Sequence, residues 1–573
     1  MKTIQGLIAT AMILAIAAGA SAQESDPDDT SQLGGLAFVD EVEVTVVNVD
    51  VYVRDNKGDP VTGLGVDAFK VYQDGVEMPV SHFAELDERV IRQRYGSQTL
   101  SAPTATDESD DAVPALEIKP IWVVLYIDNE NIEALDRNRV LRRVREFVVD
   151  NLHGPVRMMV VSYQRSLKVV QPFTSEPGEV NDALRDMVRI TGGRESRENE
   201  RQRLLRDMRD ATSRDAGTQI NTQEGARLQM RQEVAAFAAE ESNNLSFTLG
   251  GLRQVVAMLS GIEGRKSLIY VSSGLPMVPG FGLMHEYAMS FHDQSILSLR
   301  GRYDQTRLFH ELTALANAQE VSLYSIDASG LNPLEGFDAE SAYSRDPTAA
   351  SIGAKNYQDS LRYMARATGG IAVVNTNDVS GGLATITDDL FNYYSLGYTV
   401  NNSGEDRVHQ IKVELTGDRN YDLRFRQRFV EKSRESRVQE RVFTSLMIDL
   451  DDNPMGLELD AGEAQSGSVT QWVVPIHLEF DLETIALLPE GDELVGRLLL
   501  FFGARDDDGR NSEVQREQRE IRMPREAYEA APDRRIGLDF RLILGEGRHR
   551  VSVGLMDEIT RQASYGSTSV TVP

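Results

Sequence analysis

Residues 121–127 form a run of seven mostly apolar side chains without polar alternation. Such a run is typical of a strand that is buried on both faces, as in a parallel sheet covered by helices. Four residues with oxygen-bearing side chains follow it directly: Asp128, Asn129, Glu130 and Asn131. Because ligands of open α/β sheets bind beyond the carboxyl ends of the strands, this acidic tip is a candidate binding site. The alternative is that Asp128 and Asn129 only cap the next helix, which starts near Ile132.

The alternation of apolar runs and helical patterns continues along residues 118–400. Further strand patterns lie at 156–163, 167–173, 267–271 and 321–326, with helical patterns between them. This order predicts an α/β domain with a mostly parallel sheet and helices on both faces. Residues 194–241 interrupt it with a stretch dense in Arg, Glu, Gln and Asp. We interpret that stretch as a charged, solvated helical or partly disordered insertion; a docking arm is the alternative.

Period-two patterns flank the α/β domain on both sides. Residues 38–87 contain β-branched runs and an Asp74-Gly75 hairpin turn, but too few strands to bury a core alone. Strand patterns return between residues 394 and 430. We predict that these later strands, assigned mainly to 401–430, complete one β module into which the α/β domain is inserted. Residues 88–117 and 431–441 are predicted linkers.

Residues 442–573 form a separate all-β pattern. Their strand runs at 472–480, 494–504, 537–544 and 549–556 are separated by polar turns, as in a C-terminal β-sandwich. The acidic cluster 506–509 lacks the spacing of a calcium-binding EF-hand loop, so a hairpin tip is predicted there.

The amino terminus has the composition of a bacterial signal peptide. Lys2 precedes a short apolar run, and Ala20-Ser21-Ala22 fits a cleavage site, so residues 1–22 are predicted to be removed on export. Residues 23–37 read as a disordered leader. No later stretch has the ~20 apolar residues that span a bilayer. The mature chain is therefore expected in the periplasm or outside the cell, without a membrane span.

Composition narrows the range of partners. The net charge of −29 disfavours binding to nucleic acid, and the absence of cysteine excludes disulfides and thiolate metal sites. Protein partners in the cell envelope are the expected class.

No catalytic set is visible in the sequence. His285 and His292 are seven residues apart, about 10 Å along a helix, which is too far for one zinc ion. Ser272-Ser273-Gly274 is not a nucleophile elbow. We therefore do not expect an enzyme.

Short motifs spread over residues 38–430 share the pattern of one family. They are 49–51 (VDV), 60–64 (PVTGL), 69–75 (FKVYQDG), 171–174 (QPFT), 264–268 (GRKSL) and 367–370 (ATGG). In order and spacing they resemble the von Willebrand factor type A (VWA) related family that is common in exported acidobacterial proteins. The segment 442–573 lies outside the resemblance.

The resemblance implies a Rossmann-like sheet that carries a metal-ion-dependent adhesion site at its carboxyl edge. Asp128 matches its first Asp, but Glu130 and Ile132 stand at its two Ser positions. Arg194 replaces its Thr, and Ser273 occupies the place of its last Asp. Asp128, Glu130 and Ser273 are the candidate ligands of Mg²⁺ or Ca²⁺. In the alternative, Arg194 neutralises the two carboxylates and no metal binds.

Two functions follow from this reading. In the first, the protein is a non-enzymatic, adhesion-type protein whose degenerate site contacts a partner, with Asn129, Asn131 and Ser272 beside the ion. Loops 275–302 and 328–356 would complete that contact surface. In the second, the α/β domain is a metal-free core of an envelope scaffold, and the β domains mediate assembly.

Overall fold

The computed structural model describes residues 44–91, 119–213, 220–331, 347–401, 406–417, 420–448, 452–467, 471–530 and 534–573. All of them belong to the unit Glu43–Pro573. The predicted signal peptide (1–22), the predicted leader (23–37) and most of the predicted linker 88–117 lie outside the described residues.

The first four strands belong to the β module. They are β1 (Val44–Arg54), β2 (Phe69–Gln73), β3 (Val76–Met78) and β4 (His82–Leu86). β1 alternates buried valines with polar residues, whereas β2 and β3 form a hairpin through Asp74 and Gly75, both of which have positive φ. Gly tolerates that conformation without strain, and Asp is among the residues that adopt it more often than most.

A six-stranded sheet forms the centre of the α/β domain. Its strands are β5 (Ile121–Asp128), β6 (Val156–Gln164), β7 (Ser166–Thr174), β8 (Arg265–Ser272), β9 (Val321–Asp327) and β10 (Ala372–Val373). The spatial order is β10-β9-β8-β5-β6-β7, with β7 alone antiparallel to its neighbour. The predicted mixed α/β architecture with a mostly parallel sheet is thus confirmed.

Helices cover both faces of this sheet. They are α1 (Ala134–Asn151), α2 (Pro177–Met187), α3 (Arg194–Ser213), α4 (Ile220–Met258), α5 (Phe281–Ser290), α6 (Leu299–Tyr303), α7 (Thr306–Ala318), α8 (Pro347–Ala367) and α9 (Ser380–Phe391). Helices α1, α2 and α9 pack on the face that carries Val123, Leu125 and Ile127. The second half of α4 packs with α7 and α8 on the face of Val124 and Tyr126. Because strand side chains alternate between faces, Asp128 falls on this second face.

Helix α3, the first half of α4, α5 and α6 form a helical cap with a core of its own. That core contains Leu204 and Met208 of α3, Phe237 of α4 and Tyr287 of α5. The charged stretch 194–241 is therefore an ordered pair of helices in its described residues, with sparse but well-spaced apolar positions. The predicted insertion is helical, but it is not solvated all round. Its charged residues lie on the outer face, and its inner face is packed.

Four later strands complete the β module. They are β11 (Tyr393–Asn401), β12 (Arg407–Leu415), β13 (Asp422–Phe425) and β14 (Arg428–Glu431). β11 lies between β1 and β4 in the sheet β13-β1-β11-β4, and β12 pairs with β2 in the sheet β14-β12-β2-β3. The whole of β11 belongs to this module, so the α/β domain ends near residue 392 rather than at 400.

The predicted linker 431–441 is largely a helix, α10 (Arg434–Ser445). The Ser433 hydroxyl caps it by accepting a hydrogen bond from Ser436 N. Val438 and Val442, one turn apart, are buried against the C-terminal sheet. Gly261 N, in the α/β domain, donates to Thr444 Oγ1 at 2.9 Å. Helix α10 therefore joins the α/β domain to the C-terminal domain; its many charges lie on the exposed side and conceal this amphipathic pattern in the sequence.

The C-terminal domain consists of two antiparallel sheets around one core. Its elements are β15 (Glu458–Ala461), β16 (Gln465–Ser466), β17 (Trp472–Asp481), β18 (Leu488–Glu490), β19 (Glu493–Asp506), β20 (Gln515–Pro524), α11 (Arg525–Ala530), β21 (Arg535–Leu544), β22 (Gly547–Asp557) and β23 (Ala563–Val572). Side chains of β17 and β21 share a buried cluster with those of β19, β22 and β23. Among the described residues, no helix is both long enough and apolar enough to span a bilayer.

Candidate functional site

The acidic tip lies at the carboxyl edge of the central sheet, as its position after β5 predicts. The end of β5 is flanked by the end of β8, and the end of β9 follows, so that Asp128, Ser272 and Asp327 form a row. Asp128, Asn129 and Ser272 have no exposed surface. The tip is therefore covered and does not form a rim that faces solvent.

The Asp128 carboxylate is fully engaged within the fold. Its Oδ1 accepts hydrogen bonds from Asn131 N (3.1 Å) and Asn131 Nδ2 (3.1 Å). Its Oδ2 accepts from Asn131 Nδ2 (2.9 Å), from the Ser272 hydroxyl (3.3 Å) and from the Tyr270 hydroxyl. Burial raises the pKa of Asp128, while the donors from Tyr270 and Asn131 oppose that shift.

The Asn131 side chain connects this carboxylate to the helical cap. Its amide nitrogen also donates to Thr248 Oγ1 of α4 at 3.0 Å. Its amide oxygen accepts a hydrogen bond from Arg197 Nη2 of α3 at 2.8 Å. Asn131 is 8% exposed, so it is a buried link and does not form a contact surface.

Arg197 neutralises the second carboxylate of the tip. Its Nη1 lies 3.1 Å from Glu130 Oε1, and its Nη2 donates to the Glu130 carbonyl oxygen. Both side chains are less than one-fifth exposed. In this partly buried setting a charge-assisted pair of hydrogen bonds is stronger than an ion pair on the surface.

Arg194, which the sequence analysis placed opposite the carboxylates, has another role. Its Nη1 donates to the Ser273 carbonyl oxygen at 2.9 Å, and its guanidinium lies 5.0 Å from the centre of the Tyr357 ring. An arginine does pair with Glu130, but it is Arg197, one helical turn further along α3, and within the described residues Asp128 accepts hydrogen bonds from neutral donors instead. The i, i+3 spacing of Arg194 and Arg197 places both on the inner face of that helix.

Asn129 is fixed from the opposite side of the loop. Its amide nitrogen donates to Ser162 Oγ at 2.8 Å, and its amide oxygen accepts from Arg137 Nη1 of α1 at 2.8 Å. Arg137 has no exposed surface and also donates to the Ile190 carbonyl oxygen at 2.7 Å. A buried arginine thus positions both the tip and the loop that leads into α3.

A cavity of about 20 Å³ lies between the tip and the cap. That is room for about one water molecule. Its walls include Arg194, Arg197 and Arg201 of α3 together with Glu241 of α4. Burial raises the pKa of Glu241, which accepts hydrogen bonds from Gly280 N and from the Tyr357 hydroxyl.

The oxygen atoms of the three candidate metal ligands are not all free to coordinate one ion. Asp128 and Glu130 already accept hydrogen bonds, and the cation beside Glu130 is a guanidinium. The Ser273 hydroxyl differs, because it is buried and has no hydrogen-bond partner within the described residues. No cluster of three His, Asp or Glu side chains suited to a metal occurs in the described part of the chain. These oxygen atoms, as arranged, suit the guanidinium of Arg197 better than Mg²⁺ or Ca²⁺. Ion binding stays a prediction.

The residues predicted to touch a partner are internal. Asn129, Asn131 and Ser272 each bond to neighbouring side chains and are at least nine-tenths buried. Residues 275–302, predicted as a contact loop, contribute α5 and α6 to the cap. Of the second predicted loop, 332–346 lies outside the described residues.

Several residues of this network have no counterpart in the sequence analysis, among them Arg137, Arg197, Thr248 and Tyr270. The sequence does contain a signal for Tyr270: it lies two residues before Ser272 and therefore on the same face of β8, which is the parallel neighbour of β5. Thr248 and Arg197 carry none, since their placement depends on how the cap folds over the sheet.

Comparisons with known proteins add little to this geometry. No protein-family model matches the chain, and no curated protein matches it. Similar solved structures include an aerotolerance-related membrane protein from Bacteroides fragilis, with 11% identity over 47% of this chain and 98% of that chain and a TM-score of 0.24. Another is the vWF domain of the type V pilus tip protein Mfa5 from Porphyromonas gingivalis, with 12% identity, coverage of 48% and 95%, and a TM-score of 0.24.

A third is proximal thread matrix protein 1 from the mussel byssus with a zinc-occupied MIDAS motif, with 13% identity, coverage of 48% of each chain and a TM-score of 0.21. At such low TM-scores these likenesses carry no argument about function, which rests on the residues described above.

Proposed function

We propose that the protein is an exported, non-enzymatic protein-binding framework whose α/β domain is a metal-free core. Arg197 is the observation that carries this proposal. Its guanidinium lies against Glu130 and Asn131, next to the candidate ligands Asp128 and Glu130. A bound cation would be repelled by the guanidinium at short range in a setting that water screens poorly.

The cost of making room for an ion supports the same proposal. Asp128 would have to give up hydrogen bonds from Asn131, Tyr270 and Ser272 before it offered a lone pair to a metal. Tyr270 and Ser272 are buried, so their hydroxyls would lose this acceptor, whereas Asn131 Nδ2 would keep Thr248 Oγ1. Unsatisfied buried donors cost about 1–3 kcal/mol each.

Buried polar contacts between the domains suit a framework. Asp389 of α9 has 1% side-chain exposure and accepts hydrogen bonds from Arg54 Nη2 of β1 (2.8 Å) and from Arg424 Nη2 of β13 (2.7 Å). Arg265, at the start of β8, lies 4.3 Å from the centre of the Tyr393 ring. These contacts join the β module to the α/β domain.

The competing function is a partner contact through a metal at Asp128, Glu130 and Ser273. The observation that favours it is the buried Ser273 hydroxyl, which lacks a hydrogen-bond partner within the described residues. That hydroxyl is a neutral ligand, however, and by itself holds no cation.

Titration calorimetry with Mg²⁺, Ca²⁺ and Mn²⁺ separates the two functions. We expect no saturable heat in the millimolar range and no change in the thermal unfolding midpoint on adding EDTA. Retention of a partner from envelope extract should likewise be insensitive to EDTA. A saturable heat that Asp128→Asn removes, while the variant keeps the circular dichroism spectrum of the wild type, would contradict the proposal.

A further inference from the structure

Two long strands of the C-terminal domain, β20 and β21, lie at edges of its two sheets. β20 pairs with β19 and β21 pairs with β17, and neither has a second partner among the described strands. The open edge of a strand offers unpaired backbone donors and acceptors to other strands. Soluble proteins usually obstruct such an edge with inward charges, prolines or bulges. The two strands differ in this respect.

β20 is obstructed by inward charges. Its Glu517 and Arg519 stand opposite Leu500 and Leu498 of β19, whose side chains are buried in the core between the sheets. Because directly paired residues project from the same face of a sheet, Glu517 and Arg519 point inward as well. A second strand at this edge would have to bury charged side chains beside the core, which is costly.

β21 has no such obstruction. It contains no proline, and its ten residues pair with β17 without a break in register. Its inward-facing side chains are all apolar: Ile536, Leu538, Phe540, Leu542 and Leu544. A long, regular edge with an apolar inner row is the kind of edge that associates with another strand.

No described element covers the open edge of β21. β17 is the only described helix or strand that lies along it, and the backbone of β21 makes no hydrogen bond with a described residue outside β17. The undescribed segments of this domain are 449–451, 468–470 and 531–533. Each could span at most about 11 Å, whereas a strand of this length spans about 33 Å. The longer undescribed segments adjoin the β module and the α/β domain.

The outer face of β21 is complementary to itself. Asp539 and Arg541 project from this face on either side of Phe540, which points inward. In an antiparallel pair with a two-fold axis at Phe540, Asp539 of one copy stands opposite Arg541 of the other, and symmetry makes this contact twice. The same axis places Leu538 opposite Leu542 on the inner face. An axis at Asp539 or at Arg541 would instead bring like charges together, which destabilises a strand pair.

Both charges are available for such a contact. The Asp539 side chain is 83% exposed, and only its Oδ1 is engaged, by His477 Nδ1 at 2.8 Å. Arg541 is exposed and has no ion pair or side-chain hydrogen bond within the described residues. Ile543, on the same face, is 67% exposed and in this register stands opposite Gly537 of the second copy, where it has room to pack.

We infer that two copies of the chain associate through β21, which pairs antiparallel with itself about a two-fold axis at Phe540. The pair continues the sheet of β17 and β21 from one copy into the other. Backbone hydrogen bonds between the two strands supply affinity, as in other cases of strand addition. The two contacts between Asp539 and Arg541 fix the register. This association is independent of the acidic tip, because β21 belongs to the C-terminal domain.

Sedimentation velocity of the full mature chain should show a monomer–dimer equilibrium that shifts with protein concentration. Arg541→Asp and Asp539→Arg each place like charges opposite one another, so each should raise the dissociation constant about tenfold, which corresponds to about 1.4 kcal/mol. An equimolar mixture of the two variants should dimerise like the unmodified chain, because every Asp then faces an Arg. Arg516→Asp, a charge reversal at an exposed position of β20, is the matched control and should leave the equilibrium unchanged.

A spin label on Ile543→Cys measures the register, since the chain has no cysteine of its own. With the axis at Phe540, the two labelled positions lie about 20 Å apart along the paired strands. Each shift of the axis by one residue changes this separation by about 7 Å. Electron–electron double resonance on the labelled dimer gives the distance.

A monomer at every concentration, as expected if a segment of the same chain already pairs with β21, would overturn the inference. So would a dimer that Arg541→Asp leaves intact, a mixture of the two charge variants that stays monomeric, or a label separation that places the axis elsewhere. The labelled chain keeps Asp539 and Arg541, so its distance remains decisive if either charge variant folds poorly.

Discussion

Arg197 of the helical cap lies 3.1 Å from the Glu130 carboxylate at the end of the central strand β5. These two residues are 67 positions apart in the chain. Their contact joins the cap to the sheet and places a fixed positive charge beside the acidic tip. The Glu130 carboxylate is therefore neutralised from within the molecule.

Arg197→Gln should destabilise the protein by about 1–3 kcal/mol, because Glu130 and Asn131 lose charge-assisted hydrogen bonds in a partly buried site. Urea denaturation followed by circular dichroism measures the change. Arg203→Gln is the control on the same helix: Arg203 is 51% exposed, and beside its surface ion pairs with Glu200 and Asp207 it makes only a long 3.8 Å contact with Glu233. Its removal should cost about 1 kcal/mol or less, and equal losses in the two variants would contradict the assigned role of Arg197.

Tyr270→Phe and Tyr126→Phe should differ although the two rings are neighbours. Both tyrosines are buried, and they are paired across β8 and β5 with ring centres 5.6 Å apart. The Tyr270 hydroxyl donates to Asp128, so its loss should cost about 1–3 kcal/mol. The Tyr126 hydroxyl has no hydrogen-bond partner within the described residues, so its loss should be neutral or slightly stabilising. Thermal unfolding midpoints rank the two variants, and the reverse ranking would show that the Asp128 network is misassigned.

Asp389→Asn should weaken the junction between the β module and the α/β domain. The substitution removes the charge that balances two partly buried guanidinium groups, those of Arg54 and Arg424. Leaving such groups uncompensated costs about 3–5 kcal/mol. Asp388→Asn alters the adjacent residue, which is 39% exposed and lies 3.4 Å from Arg54, and should cost about 1 kcal/mol or less. Guanidinium denaturation compares them; similar midpoints would argue against a stabilising junction at Asp389.

Lys266→Met should change how stability depends on pH. Burial lowers the pKa of Lys266 from 10.5 to about 8, so between these values the unfolded chain binds a proton that the folded chain releases. Stability of the wild type therefore gains from Lys266 as the pH rises through this window, and below it the buried charge is a penalty. The variant should be more stable at pH 7, by on the order of 2 kcal/mol, with the difference shrinking by pH 10. If the free energies of unfolding of the two proteins changed in parallel from pH 7 to 10, this account would be refuted.

The sequence identified the central strand and its acidic tip because both signals are local. The seven mostly apolar residues before Asp128 predict a buried strand, and they place Asp128 at its carboxyl end. Neither prediction needs information from the rest of the chain. The surroundings of the tip were not predictable in this way. Arg197 reaches Glu130 only because α3 folds back over the sheet, and no local pattern encodes that direction. Arg194, which is nearer to the family motif, was consequently expected in its place.

Helix α10 illustrates a different limit. Its charged residues resemble a linker, yet Ser433 and the pair Val438 and Val442 carry the signature of a capped amphipathic helix. Two buried valines in twelve residues are enough when a neighbouring sheet supplies the remaining apolar surface. Whether this segment is a linker or an amphipathic helix is decided by its tertiary context, which the sequence alone does not display.

The division of the β module between the two ends of the α/β domain governs the order in which the polypeptide can mature. Val44 pairs with Asn401, so the earliest strands emerge from the ribosome long before their partners are synthesised. Nascent chains that stop short of Tyr393 carry strand edges with nothing to cover them, and such edges promote self-association. Closure of the module is thus a late, long-range step. Only a chain that has been synthesised through residue 431 contains every strand of the module and can reach the native state.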